Sequence, residues 1–122
     1  MVLINRRGYS WSLLCRYTRP DSQVLATKTE QPAADLRSVA LRTASGEITL
    51  LIVNRCLRDL ALDVQLPAGS KSKIREFLYS RNTVPTLDRA MLRPRAVHAV
   101  TPGKGISLSI PQDAFLMLTE IE

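Results

Sequence analysis

The feature that most constrains this chain is a change of hydrophobic period at Pro20. Before it, Trp11, Leu14, Cys15 and Thr18 fall at i, i+3, i+4 and i+7, with Leu13 and Tyr17 flanking them, which is the spacing of one apolar helix face. The pattern predicts an α-helix over Gly8–Thr18, with Ser10 placed to cap it and Pro20 to stop it. After Pro20 the apolar residues recur at every second position almost to the end of the chain. That is the period of strands with one buried face. A single switch of this kind predicts one helix followed by an all-β body.

The β body can be divided by its turn signals. Ser22–Thr29 is a first strand. Arg37–Ala44 and Glu47–Asn54 form a hairpin around Ser45-Gly46, where Gly supplies the positive φ of a tight turn. Ile48–Val53 is apolar on both faces, which predicts a central strand. Leu60, Leu62, Val64 and Leu66 alternate with Ala61, Asp63 and Gln65, so Leu62 is expected to be buried on a strand facing Ile52. Ile74–Tyr79 is the next strand, followed by a long polar connection through Asn82, Pro85 and Pro94. Val97–Val100, Ile106–Ile110 and Ala114–Ile121 close the chain, broken at Pro102-Gly103 and at Pro111-Gln112-Asp113. The expected fold class is therefore mainly β: an antiparallel β-sandwich of about eight strands preceded by one N-terminal α-helix. A length of 122 residues suits one hydrophobic core.

The net charge of +6, from 17 Lys and Arg, raises the question of a polyanionic partner. The cations are scattered: Arg6 and Arg7, Arg16 and Arg19, Lys71 and Lys73, and Arg89, Arg93 and Arg95 lie on different segments. With aromatic residues at 5%, stacking platforms for bases are scarce, so no nucleic-acid partner is expected. No apolar run approaches the roughly 18 residues of a membrane span, and no membrane partner is expected. Met1–Ile4 runs straight into Asn5, Arg6 and Arg7, an order of charge and apolar stretch that does not fit a signal peptide, so no localisation is assigned. Cys15 and Cys56 each sit among apolar residues and are read as free thiols.

Catalytic side chains are in short supply. His98 is the one histidine, on a strand with alternating apolar neighbours, and a structural or surface role is expected for it. One His and two distant Cys do not furnish a zinc shell, and there is no glycine-rich phosphate loop, so neither metal nor cofactor is expected. Glycoside hydrolysis needs two carboxylates across a cleft. The acids sit mostly in turns or on polar strand faces. Glu76 is the exception, sharing its face with Ile74 and Leu78; half-burial beside an Arg is the expected arrangement. Of the aromatics, Tyr9, Trp11 and Tyr17 belong to the helical stretch, while Phe77, Tyr79 and Phe115 occupy core-like strand positions. That leaves little for an aromatic sugar platform.

These segments resemble a known arrangement. Tyr17-Thr18-Arg19-Pro20-Asp21-Ser22-Gln23-Val24 is similar to the junction in TIM-barrel glycoside hydrolases of the cellulase, xylanase and glucosylceramidase-like families, where the last barrel helix passes into a C-terminal β-sandwich. Val39–Arg55 is similar to that sandwich's hairpin, whose second strand ends in Asn. Ile110–Thr119 resembles its closing strand. Asp21 stands where the junction usually has Gly, and Asp113 where the closing strand usually has Ser. The resemblance implies a barrel-helix remnant over 1–20 and an accessory sandwich over 21–122, with a catalytic barrel as partner. It also implies that the family's catalytic carboxylates precede Met1, so no catalytic residue is carried onto this chain.

The leading expectation is a non-catalytic accessory domain. Its rivals are a carbohydrate-binding module, which needs an exposed aromatic pair, and a small independent hydrolase, which needs a second acid beside Glu76. The candidate interaction surface is the helix stripe of Tyr9, Trp11, Leu13, Leu14 and Tyr17. Without a barrel, it must fold back on its own sandwich or meet a second copy; self-association as a two-fold homodimer is the expectation taken here.

Overall fold

The computed structural model describes residues 18–27, 36–67, 73–80, 87–88, 91–92, 94–101 and 104–121. The expected helix and its candidate surface Tyr9, Trp11, Leu13, Leu14 and Tyr17 lie outside these residues. Thr18, the last residue of that stretch, is described and is not helical.

Ten strands are found among the described residues: β1 Gln23–Leu25, β2 Leu36–Arg42, β3 Ile48–Asn54, β4 Leu60–Val64, β5 Lys73–Tyr79, β6 Leu87–Asp88, β7 Met91–Leu92, β8 Ala96–Ala99, β9 Ile106–Ile110 and β10 Ala114–Thr119. Every pairing is antiparallel. Six strands form one sheet in the order β1-β2-β3-β10-β5-β8, while β4 pairs with β9 and β6 with β7.

The β2–β3 hairpin turns where the sequence places it. Gly46 has a φ of +89°, its N–H donates to the Thr43 carbonyl at 2.9 Å, and the Thr43 N–H donates to the Glu47 carbonyl at 2.9 Å. Two non-glycine residues also adopt positive φ, Asp21 at +63° and Asp113 at +56°. Asp is among the few side chains that tolerate the left-handed region. At Asp21 the resembled junction carries Gly, the residue that enters this region at least cost.

One face of the six-stranded sheet carries Ala40, Leu50, Ile52, Ile74, Leu78, Leu116 and Leu118, which share a single core cluster with Ile106, Leu108 and Ile110 of β9. The β4–β9 ribbon thus lies over this face. The alternation in β9 is clean: Ile106, Leu108 and Ile110 are buried, while Ser107 and Ser109 are exposed. β3 is central, as its two-faced apolar pattern requires, with β2 on one side and β10 on the other.

Three expectations need correction. Leu62 does lie against the same core as Ile52, but it is half-buried rather than buried, because its ribbon has only two strands and leaves β4 open to water. The first strand is shorter than Ser22–Thr29, with pairing described only over Gln23–Leu25. The polar connection after Tyr79 holds a two-residue hairpin, β6–β7, too short for any period to reveal. Apart from this short hairpin the described strands number eight, as expected.

The opposite face of the sheet has its own apolar centre. Phe77 and Met117 are 0% exposed and pack with Leu51, Phe115 and Ile121. Thr49 and Thr119, both buried on this face, share a hydroxyl hydrogen bond of 2.8 Å between β3 and β10.

Candidate functional site

The polar cluster of most chemical interest forms around Glu76. Alternation along β5 puts Ile74, Glu76 and Leu78 on the face covered by the ribbon, so a carboxylate is carried into an apolar layer. Glu76 is 2% exposed, more deeply buried than the half-burial read from the sequence. A charge so placed must be paired and hydrogen-bonded, or it costs several kcal/mol.

Both oxygens are engaged. Oε1 lies 2.9 Å from His98 Nε2 on β8, and Oε2 accepts a hydrogen bond from Arg95 Nε. The backbone repeats the connection, with the Arg95 N–H donating to the Glu76 carbonyl at 2.6 Å. The Arg95 guanidinium then reaches Ser109 of β9, donating to its carbonyl at 3.0 Å. Edge strand β8, inner strand β5 and the ribbon are therefore tied through one carboxylate. The Arg95 and His98 side chains are 34% and 24% exposed, against 3% for Glu76. The acid is sealed in, and its partners extend to the surface.

This arrangement matches the expectation of a Glu–Arg pair and gives His98 its structural role. Sequence reasoning missed Arg95 as the partner, having treated the arginines near it only as scattered charge. A signal did exist: β5 and β8 are antiparallel, and Glu76 faces Ala96 across the pair, one residue from Arg95 and two from His98. Among the described residues its carboxylate contacts an imidazole and a guanidinium and no second acid.

A second buried polar group, Asn54, ends β3. Its Nδ2 donates to the carbonyls of Arg58 at 3.1 Å, Ile110 at 3.3 Å and Pro111 at 3.0 Å, and its Oδ1 accepts the Cys56 N–H at 2.9 Å. Asn54 is 0% exposed and joins three backbone segments.

Other expected sites are thinly represented. Cys56 is a free, half-buried thiol, and Cys15 lies outside the described residues. Among the described residues no group of three His, Cys, Asp or Glu side chains could hold a metal ion, and no helix is long and apolar enough to cross a membrane. Of the described aromatics, Phe77 is buried and Tyr79 and Phe115 are half-buried neighbours across β5 and β10.

No family model and no curated protein sequence matches the chain. Solved structures do match its fold. A GH30 endoxylanase from Clostridium papyrosolvens is similar over 96% of this chain and 28% of its own, with a TM-score of 0.75 and 14% identity. The catalytic domain of the GH30 xylanase C from Talaromyces cellulolyticus is similar over 91% of this chain and 23% of its own, with a TM-score of 0.61 and 15% identity. CelM2, a bifunctional glucanase-xylanase from a metagenome library, is similar over 70% of this chain and 15% of its own, with a TM-score of 0.54 and 14% identity. The chain thus spans less than a third of each enzyme it resembles, and what is shared is the fold.

Proposed function

We propose that this chain is a non-catalytic accessory domain of the glycoside-hydrolase kind, a β-sandwich whose layers are the six-stranded sheet and the β4–β9 ribbon. Its work is to pack beside a catalytic barrel and stabilise it. The observation that carries this reading is the asymmetry of coverage: 96% of this chain lies on 28% of a xylanase. The remainder of such an enzyme has room for a barrel and its carboxylates. The junction at Tyr17–Val24 supports a C-terminal position for the matched part. The saturated Glu76 supports the absence of catalysis, because a retaining or inverting hydrolase needs two acids across a cleft.

Two measurements test the proposal. The purified chain is expected to hydrolyse no aryl glycoside above buffer and to bind no polysaccharide on a glycan array. Hydrolysis that disappears in Glu76→Gln would make it a small hydrolase instead, and polysaccharide binding without hydrolysis would make it a carbohydrate-binding module. The genomic reading frame upstream of Met1 bears on the parentage directly: a barrel encoded there is expected, and a frame without one sinks the accessory reading.

A further inference from the structure

The β4–β9 ribbon lies over a sheet of six strands and has only two of its own. Connection 55–59 leads from β3 into β4, and 111–113 leads from β9 into β10. The ribbon therefore keeps the lateral order of the sheet, with β4 on the β3 side and β9 on the β10 side. Arg95 agrees with this placement: it adjoins edge strand β8 and reaches the Ser109 carbonyl of β9 at 3.0 Å. Past β4 the sheet continues with β2 and β1, an overhang of about 10 Å at about 4.8 Å per strand.

The overhang has an apolar lining. Leu36 of β2 and Leu25 of β1 are half-buried against the same core cluster as Leu60, Leu62 and Val64 of β4, which are half-buried too. Together they outline a groove with the edge of β4 as one wall. Among the described residues β4 pairs with β9 alone, and Leu60–Val64 make no hydrogen bond beyond that ladder. Every second residue of such an edge strand turns its N–H and C=O outward. Edges of this kind are normally guarded by a charge, a proline or a bulge. β4 has one charge, Asp63, and it is bent the other way: a Cβ added to Gly105, at the start of β9, would collide with the Asp63 carboxylate.

We infer that the edge of β4 receives one extended segment supplied from outside this chain, apolar at alternate positions, which continues the β4–β9 ladder over Leu36 and Leu25. Main-chain bonds supply the affinity in strand addition of this kind, and the alternate side chains supply the specificity. A second copy does not fit the groove. Antiparallel pairing of β4 with its own copy needs a two-fold axis perpendicular to the sheets, and that axis would drive the two six-stranded sheets into one another. A lone strand carries no such overhang. The inference does not rest on the accessory-domain reading, since the edge is the same whatever the parent protein.

A synthetic peptide with the sequence of residues 104–111 is the probe, because Ile106, Leu108 and Ile110 already face this core with Ser107 and Ser109 outward. In the free full chain, every second amide of Leu60–Val64 is expected to exchange rapidly with solvent deuterium. The peptide at about 1 mM is expected to slow those amides by at least about tenfold and to leave β8 unchanged. A peptide of the same residues reordered to make Ile, Leu and Ile consecutive is expected to give no protection. Leu36→Ala is expected to weaken binding about fivefold, and Val97→Ala, on the other face of the sheet, to leave it unchanged. No protection by the alternating peptide overturns the inference, as does equal protection by the reordered one or equal response of the two variants. Slow exchange across Leu60–Val64 without peptide also overturns it: in a monomer the chain's own residues would then fill the groove, and with growth on concentration a second copy would.

Discussion

Asn54, at the end of β3, holds Pro111, just past the end of β9, by a 3.0 Å hydrogen bond from its side-chain amide to the proline carbonyl. Proline has no N–H to enter a ladder, so the turn between β9 and β10 is fastened from the side, through its carbonyl. The same amide takes the Arg58 carbonyl and the Cys56 N–H, so one buried side chain fixes the exit from β3 and the entry to β10.

Removing that side chain strands several backbone groups at once. Asn54→Ala is expected to cost roughly 2 to 4 kcal/mol, because buried donors and acceptors lose their partners together. Asn54→Asp is expected to be at least as damaging, since it places a second acceptor against three carbonyls. Urea unfolding with an unchanged slope would measure both; a cost within about 0.5 kcal/mol for either would show that the loop is held by other contacts.

Around Glu76 the cost of disruption should depend on how much of the cluster is removed. Arg95→Met leaves a buried carboxylate short of its guanidinium. Allowing for the partial exposure of Arg95, a loss of about 2 to 3 kcal/mol is expected, and somewhat less for His98→Ala. The triple variant Glu76→Leu, Arg95→Met, His98→Leu should recover most of that loss, because no charge remains to be buried. Additive losses across the set would show that the three side chains act independently.

The core makes a graded prediction. Leu116→Ala, at a fully buried site in β10, should cost roughly 3 to 5 kcal/mol. Leu62→Ala, half-buried on the ribbon, should cost about 1 to 3, and Gln65→Ala, exposed, no more than about 0.5. A larger effect at Gln65 than at Leu62 would mean that the ribbon's register is displaced by one residue.

Asp21 provides a backbone test. At a φ of +63°, Asp21→Gly is expected to be neutral or to stabilise by up to about 1 kcal/mol, whereas Asp21→Val should destabilise by about 1 to 2. Similar behaviour of the two variants in thermal unfolding would show that the junction relaxes out of the left-handed region.

What could be read from the sequence was local. Ile106–Ile110 and the Ser45-Gly46 turn were visible because a period of two and a glycine are properties of neighbouring residues. The central position of β3 was visible because both its faces are apolar. Strand order was not: nothing local brings Ala114–Thr119 between Ile48–Asn54 and Lys73–Tyr79. The candidate site was half-legible for the same reason. Burial of Glu76 follows from its neighbours Ile74 and Leu78, but its partners arrive from β8 by a pairing that no local pattern encodes. The half-exposure of Leu62 depends on how many strands the ribbon has, which alternation within β4 does not reveal.

The position of β10 bears on how the chain is made. It is the last described strand to leave the ribosome, yet it occupies the middle of the sheet, bridging β3 and β5. Until it emerges, the β1–β3 and β5–β8 portions have no common ladder, and each presents an apolar edge that invites pairing with a neighbouring chain. The nascent chain therefore carries the β3 edge once Asn54 is out, adds the β5 edge after Tyr79, and loses both in one late step. A ribosome stalled before Ala114 would hold this sheet still in two halves, with chaperones as the natural company of those edges.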